Sequence, residues 1–192
     1  MILPYSLGRW ALRLLLVVTL AMGSARAQNL FPNGSVEEGS GSAPDAFYRD
    51  PTVGDYALWD TAQAWDGSRS LRLRSGSAGE AHWFSEAFPV EAGTAYGFIT
   101  RVRQENVNTA PQDDDHRWAV IIRFGTDRGA DGHLQGILSP DHYLWLDQSV
   151  ATQDWYTVTA EFIAPAGAAY VDWNLRKRSA AAGRVWADGM VC

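Results

Sequence analysis

The feature that most constrains the fold is a series of short runs rich in aromatic and β-branched residues, separated by turns rich in Gly, Pro, Asp and Asn. Runs of this length and composition are typical of β-strands. After residue 27 no segment keeps a helical period over three turns, and no internal repeat is present. The sequence therefore predicts an all-β, antiparallel β-sandwich. The predicted strands lie near Tyr56–Trp59, Ser70–Arg74, His82–Phe88, Ala95–Arg103, Trp118–Phe124, His133–Leu138, Trp155–Ile163, Ala169–Arg176 and Arg184–Val191.

Several of these runs alternate between apolar and polar side chains, as strands with one buried face do. Between residues 96 and 103, Phe98 and Val102 share one face, and Arg101 and Arg103 share the other, where Ile99 is an apolar exception. The runs at 118–124 and 169–176 repeat the pattern. We expect the apolar sets to form the core. If the strands share a sheet, the opposite faces form a polar strip with a basic bias, made of Arg101, Arg103, Arg123, Asp172, Asn174 and Arg176.

Two segments break the strand pattern and predict long connections. Residues 104–117 are polar, contain a proline and carry Asp113, Asp114 and Asp115 in succession, which is typical of a solvated acidic loop. Residues 139–154 form the second connection, and they contain Tyr143 and Trp145.

The first residues of the chain predict export. Arg9 and Arg13 precede an apolar run from Leu14 to Met22, and residues 24–27 end in the small-x-small pattern of a signal peptidase site. The apolar run is about half as long as a membrane-spanning helix requires. We predict a signal peptide over residues 1–27 and one secreted, periplasmic or cell-surface domain over residues 28–192.

Composition narrows the range of ligands. Without the three arginines of the signal peptide, 13 of the 16 basic side chains remain against 22 acidic ones, a net charge of −9 with His neutral. This balance argues against nucleic-acid binding. Eight of the nine Trp residues lie after residue 27. An indole is costly to leave in water unless it stacks on another group, so we expect some of these residues at a binding surface. The only cysteine, Cys192, leaves no disulfide within the chain, although it could pair with another chain.

Five segments in order resemble carbohydrate-binding modules of the CenC type (families 4, 9 and 22). They are residues 29–39, with Asn29-Leu30-Phe31-Pro32-Asn33-Gly34, and 64–71, 88–96, 155–168 and 183–188. Together they span almost the whole predicted domain. The resemblance implies a jelly roll of the galactose-binding-domain-like class. The chain departs from the pattern at Gly189, where the family usually has a second acid after Asp188, and at Val36, where an aromatic residue is common.

The same resemblance implies a structural Ca²⁺ beside the adjoining first and last strands. The matching positions are Glu37 in the opening segment, Asp66 and Ser70 in the following turn, and Asp188 near the chain end. Carboxylate and turn oxygens are the ligands that Ca²⁺ prefers. Alternatively, Glu37 caps a turn and Asp188 is solvated.

The ligand is expected to be a polysaccharide or another glycan. In this fold, sugars bind along a concave sheet face or at loops on the sandwich edge, through aromatic rings and a few polar groups. The polar strip supplies the polar groups, and its arginines would suit an acidic glycan. A solvated face held by salt bridges is an equal alternative. The aromatic candidates, near turns or in loops, are Trp59, Trp65, Trp83, Tyr143 and Trp145.

Catalysis is the less favoured hypothesis. The four histidines, His82, His116, His133 and His142, occur singly and without metal-ligand spacing. No nucleophile elbow is present. The sequence still allows a carboxylate pair for glycoside hydrolysis, such as Glu86 with Glu161, or a polysaccharide lyase on the same jelly roll. A surface adhesion domain without affinity for sugar is the third hypothesis.

Overall fold

A computed structural model describes residues 28–49, 55–76, 79–109 and 113–192. The predicted signal peptide lies outside these residues. Apart from one short 3-10 turn at Asp114–His116, the described elements are strands. They are β1 (Gly39–Ser40), β2 (Ala43–Pro44), β3 (Phe47–Arg49), β4 (Ala57–Asp60), β5 (Ser70–Arg74), β6 (Ala81–Ser85), β7 (Phe88–Pro89), β8 (Ala95–Glu105), β9 (Trp118–Arg128), β10 (Leu134–Trp145), β11 (Gln153–Ile163), β12 (Tyr170–Lys177) and β13 (Arg184–Val191).

The strands form two antiparallel sheets that enclose one core. The β9 sheet has the order β10-β9-β12-β6-β3, with β7 also paired to β12. The β8 sheet has the order β11-β8-β13-β5-β4. The short strands β1 and β2 form a separate hairpin. This arrangement confirms the predicted all-β sandwich, and the nine predicted strands correspond to β4–β13.

The core lies where the alternation predicted it. Trp118, Ile122 and Trp173 of the β9 sheet and Val102 and Val185 of the β8 sheet are buried between the sheets. Polar groups among them are paired, as burial requires. For example, the Trp173 indole Nε1 donates to Thr100 Oγ1 at 2.9 Å across the core.

The expected connection over residues 139–154 is wrong at both ends, because β10 continues to Trp145 and β11 begins at Gln153. Gly136 and Pro140 resemble turn residues in sequence. However, β10 is an edge strand, where a residue without an N–H is tolerated. A register shift between Leu138 and His142 absorbs the irregularity, and beyond it Tyr143 pairs with Ile121. Tyr143 and Trp145 are therefore strand residues with fixed positions.

The opening segment lies beside the last strand. The Leu30 N–H donates to the Cys192 carbonyl at 2.9 Å, and the Met190 N–H donates to the Gly34 carbonyl at 2.8 Å. A Cβ on Gly34 would lie 2.1 Å from the Met190 carbonyl oxygen, so only glycine permits this approach. Within the described ranges, no helix is long and apolar enough to span a membrane.

Candidate functional site

The structure divides the predicted polar strip between two opposite surfaces. Arg123, Asp172, Asn174 and Arg176 lie on the outer surface of the β9 sheet, on the neighbouring strands β9 and β12. We call this surface the Arg123 face. Arg101 and Arg103 lie on β8, which belongs to the other sheet. The condition for one continuous strip, a shared sheet, is therefore not met for these two arginines, because alternation assigns a side chain to a face but does not assign a strand to a sheet.

The Arg123 face carries two rows of aromatic rings. In the first row, Tyr143 and Trp145 of β10 stack with their centroids 5.1 Å apart. The Arg117 guanidinium lies 4.4 Å from the Trp145 ring centroid, and that of Arg176 lies 5.7 Å from the Tyr143 centroid. Arg176 also donates to the Tyr143 hydroxyl at 2.5 Å. Both rings are half-buried and fixed by these neighbours.

The second row contains four rings that the sequence did not identify. His82 and Phe84 of β6 stack at 4.9 Å, Phe84 and Tyr48 of β3 at 5.1 Å, and Tyr48 and His133 at 3.6 Å. All four are half-buried. The alternation of β6 around Trp83 could have revealed His82 and Phe84. No sequence signal predicted β3, which brings Tyr48 beside them.

The two rows border a polar floor. Strands β9 and β12 separate β10 from β6, so the rows lie roughly 14 Å apart at the usual strand spacing. On the floor, Arg123 holds Asp172 through two hydrogen bonds, Nε to Oδ1 at 3.1 Å and Nη2 to Oδ2 at 2.5 Å. The Asn174 amide donates to the same carboxylate at 3.0 Å. Asp172 and Asn174 are buried beneath the rings.

Burial controls the ionisation of this floor. Loss of water raises the pKa of Asp172, and the Arg123 guanidinium opposes that rise. Burial and the charge of Arg176 lower the pKa of His82 to about 4, although Glu80 opposes the change. The His82 ring is therefore neutral at pH 7. Burial also raises the pKa of Tyr48, so its hydroxyl keeps its proton.

The remaining cations of the Arg123 face are paired with acids. Arg176 bonds to Glu80. Arg178 contacts Glu80 at 3.0 Å and Asp115 at 2.8 Å. The charge of Asp141 further raises the pKa of Asp172. The positive and negative charges of this face are thus nearly balanced.

Two predicted aromatic ligand residues belong to the interior instead. Trp83 is fully buried, and its indole Nε1 donates to the Arg72 carbonyl at 3.1 Å. Trp59 packs against the core, and its Nε1 donates to the Val36 carbonyl at 2.7 Å. Both rings were predicted as ligand contacts because they are near turns in the sequence, but each points inwards from its own sheet, Trp59 from β4 and Trp83 from β6.

The third predicted ring outside the Arg123 face, Trp65, lies near the outer surface of the β8 sheet and is 49% exposed. Arg101 and Arg103 occupy the same surface, which we call the Arg101 face. Arg103 bonds to the exposed carboxylate of Asp154.

The residues predicted to hold Ca²⁺ are only partly brought together. Glu37 and Asp188 both bind the 65–69 turn. Glu37 Oε1 accepts from Arg69 N–H at 2.8 Å, and Asp188 Oδ2 accepts from Trp65 N–H at 2.8 Å. The Asp66 carboxylate instead accepts from the next N–H of its own turn. The Ser70 hydroxyl donates to the Gln63 carbonyl at 2.6 Å.

Glu37 and Asp188 supply negative charge that would attract a cation, but they supply few of the oxygen ligands that Ca²⁺ requires. Burial, with a smaller contribution from the charge of Glu37, raises the pKa of Asp188 to about 6. A divalent ion would offset that repulsion. Nonetheless, Ca²⁺ takes six to eight oxygens, and no group of three or more His, Cys, Asp or Glu side chains in the described parts of the chain could hold a metal. Calcium binding stays a prediction that rests on Glu37 and Asp188.

Comparison with solved structures places this architecture among known folds. A family 16 carbohydrate-binding module superposes with a TM-score of 0.57 at 18% identity, over 85% of this chain and 98% of the module. The chain has the jelly-roll fold of carbohydrate-binding modules. No protein-family model and no curated protein sequence matches it.

Two larger proteins contain a similar jelly roll. The enzymatically active domain of tailspike protein 4 from bacteriophage CBA120 matches with a TM-score of 0.54 at 15% identity. An α-L-arabinofuranosidase of family GH51 matches with a TM-score of 0.50 at 12% identity. This chain spans only 21% and 26% of those two proteins, so the likeness concerns one domain of each.

Proposed function

We propose that this protein is an exported, non-catalytic module that binds a neutral polysaccharide along the Arg123 face. The observation that carries the proposal is the pair of aromatic rows on either side of a buried polar floor. Sugars offer apolar ring faces and hydroxyl groups, and they are recognised by aromatic side chains combined with a few fixed polar groups. The carbohydrate-binding-module fold supports the same assignment.

The rings of both rows pack against neighbouring side chains in the absence of a ligand. Tyr143 and Trp145 are held by stacking and by Arg176 and Arg117. In the other row, Phe84 lies between His82 and Tyr48. A ligand that contacts these rings orders few new side chains, which lowers the entropic cost of binding.

Charge favours a neutral glycan over the acidic one that the arginines alone suggested. The side chain of Arg123 is already committed to Asp172, and that of Arg176 to Glu80. A carboxylated sugar would have to displace these acids or lie beside them. Neutral hydroxyl groups, in contrast, can donate to carboxylate oxygens and accept from guanidinium N–H groups without a change in charge.

The arrangement of acids favours binding without cleavage. Glu86 pairs with Arg128 beside the β9 sheet, whereas Glu161 lies on the outer surface of the β8 sheet. These two carboxylates are on opposite sides of the sandwich and cannot flank one glycosidic bond. Asp172 is buried, and its oxygens are held by Arg123 and Asn174.

The test is affinity electrophoresis of the purified protein through gels containing neutral or carboxylated polysaccharides, with product analysis of the same mixtures. We expect retention by a neutral polysaccharide and no new chain ends. Trp145→Ala should weaken binding about tenfold, which is about 1.4 kcal/mol and of the order of one aromatic contact.

Ile163→Ala, at a side chain 69% exposed and remote from the Arg123 face, is the matched control. Equal retention of the wild-type and Trp145→Ala proteins would contradict the assignment to this face. New chain ends that increase with the concentration of this protein would instead favour a lyase or hydrolase.

Export is a separate part of the proposal, supported by the signal-peptide pattern over residues 1–27. Expression of the full chain in a bacterial host should release a protein that begins at Gln28, as N-terminal sequencing would show. Retention of the first residues in the cell membrane fraction would contradict it.

A further inference from the structure

A second set of aromatic and polar groups lies on the Arg101 face, on the opposite side of the sandwich from the first site. The Trp65 and Trp155 rings meet at 62° with their centroids 6.4 Å apart. The Arg101 guanidinium lies 4.8 Å from the Trp65 ring centroid and donates to the Thr157 hydroxyl. We propose that the two indoles and Arg101 form a second glycan-binding site. The inference rests on the proposed function, because it extends sugar recognition to a second surface.

Hydrogen bonds anchor the backbone of the turn that carries the exposed indole. The backbone N–H of Trp65 donates at 2.8 Å to the carboxylate of Asp188, which is buried. The next N–H, of Asp66, donates to the same oxygen at 3.2 Å. Farther along the turn, Glu37 accepts from the backbone of Ser68 and Arg69. An aromatic side chain on a fixed turn can bind a ligand with little loss of entropy.

The backbone beneath Trp65 is shaped to receive it. Gly189 has a φ of +58°, and a Cβ at this position would lie 3.4 Å from Trp65 Cδ1 and 3.2 Å from Arg101 Cγ. The register of β13 against β8 shifts between Asp188 and Val191. Glycine at this irregularity therefore allows the indole and the arginine to lie close together over the strand.

Polar groups continue from the indoles along the same strands. Arg101, Ile99 and Gly97 alternate outwards on β8, opposite Thr157, Thr159 and Glu161 on β11. A shallow depression of 460 Å³ is lined by Gly97, Ile99, Thr159 and Glu161, among others. It begins at Ile99, roughly 7 Å from Arg101 at about 3.3 Å per residue. The surface thus joins an aromatic end to a track of hydroxyl and carboxylate groups, which suits a short glycan chain.

The size of the aromatic patch favours a glycan over a protein partner. A Trp side chain offers about 150–250 Å², so two partly covered indoles expose on the order of 200 Å². A stable protein interface buries about 800 Å² on each partner. The surrounding polar groups match sugar hydroxyls, whereas burial in a dry protein interface would leave many of them without partners.

A short neutral oligosaccharide that the wild-type protein binds is the probe. Isothermal titration should give two sites for the wild type, one for Trp65→Ala, one for Trp145→Ala and none for the double variant. Trp65→Phe should keep the second site with weaker affinity. On a polysaccharide, loss of Trp65 should reduce retention by tenfold or more, because two linked sites act together.

The outcomes separate the two proposals. One wild-type site that is lost in Trp145→Ala and kept in Trp65→Ala overturns the second site and leaves the proposed function intact. One wild-type site that is lost in Trp65→Ala and kept in Trp145→Ala overturns the assignment of binding to the Arg123 face and supports the site on the Arg101 face. Binding by none of the proteins overturns both. Light scattering that shows a dimer lost in Trp65→Ala would assign the indoles to a second copy of the chain and overturn the glycan site.

Discussion

The Arg123 face and the Arg101 face carry the same kinds of side chain but hold them differently. On the Arg123 face the central carboxylate, Asp172, is buried, and Arg123 binds it with a two-pronged hydrogen bond. On the Arg101 face Arg103 pairs with Asp154, whose side chain is 81% exposed. The Arg123 face therefore depends on a buried ion pair of the sheet itself, whereas the Arg101 face depends on one turn and on ion pairs that are exposed to solvent.

The largest expected effect comes from breaking the buried pair. Asp172→Ala leaves the Arg123 guanidinium beneath the rings without its carboxylate. Loss of one partner of a buried pair costs about 3–5 kcal/mol. Because Arg123 is partly exposed, we expect the free energy of unfolding to fall by about 3 kcal/mol. Urea unfolding measures the change in the free energy of unfolding.

The matched variant on the other face is Asp154→Ala. Because Asp154 is open to solvent, removal of its carboxylate should leave the urea midpoint unchanged within error. Similar midpoint shifts for the two variants would show that the faces do not differ in the way their geometry implies.

The second effect is the pH dependence that His82, on the Arg123 face, gives to the free energy of unfolding. The pKa of His82 falls to about 4 in the folded protein, mainly through burial, whereas the pKa of a His in an unfolded chain is about 6.5. As pH falls below the unfolded value, the unfolded chain takes up the proton first. His82 therefore adds stability that is complete above about pH 6.5 and is lost towards pH 4.

The shift corresponds to about 3 kcal/mol over that pH range. His82→Gln should remove this part of the pH dependence. Unfolding free energies at pH 4.5 and pH 8 are measured for both proteins, and the two pH differences are compared. Contributions from other groups, including Asp188 and Asp172, are common to both proteins and cancel. Identical pH differences would mean that His82 is not buried in its neutral form.

The third effect tests the predicted Ca²⁺ at the turn that presents Trp65. The pKa of Asp188 is raised to about 6 by burial and by Glu37, so its stabilising contribution is lost as pH rises from about 4 to 6. An ion that binds both carboxylates should offset this loss at pH 7. At a concentration 100-fold above its Kd, it adds about 2.7 kcal/mol.

Thermal melting with Ca²⁺ or EDTA should show a rise in Tm of about 5–10 °C at pH 7, and a smaller one at pH 4.5. Glu37→Gln should abolish the rise. Asp113→Asn, in the acidic segment before the 3-10 turn, should keep it. An unchanged Tm in the wild type would count against the metal, and loss of the effect in Asp113→Asn would move it to the acidic segment.

Sequence reasoning reached the fold because alternation and turn residues are local properties. Phe98, Val102 and Trp173 face the core as their spacing predicted. It did not predict the site, because the pairing of strands depends on residues that are far apart in the sequence. The assignment of Arg101 and Arg123 to different sheets depends on topology. The stack of Phe84 on Tyr48 depends on β3, a strand of three residues without a distinctive pattern.

The smallest expected effect concerns Gly189 and the relation between the metal and Trp65. The resemblance places a second acid at this position, but its left-handed φ and the contacts of Arg101 and Trp65 favour glycine. Asp tolerates such a backbone better than most residues. Gly189→Asp should therefore cost only about 1 kcal/mol without Ca²⁺, and it should increase the rise in Tm that Ca²⁺ produces.

Gly189→Ala introduces the same Cβ without the carboxylate. It should lose more stability, because Ala tolerates a left-handed backbone less well than Asp, and it should gain nothing from Ca²⁺. Both variants should weaken glycan binding at the Arg101 face, because either Cβ would lie 3.2 Å from Arg101 Cγ and would push this side chain from its place beside Trp65. If both variants respond to Ca²⁺ as the wild type does, an acid at position 189 does not contribute to a metal site. Glycine at this position then serves the packing of Trp65 and Arg101. In that case this chain has glycine where the resemblance places a second acid because the Arg101 face requires it.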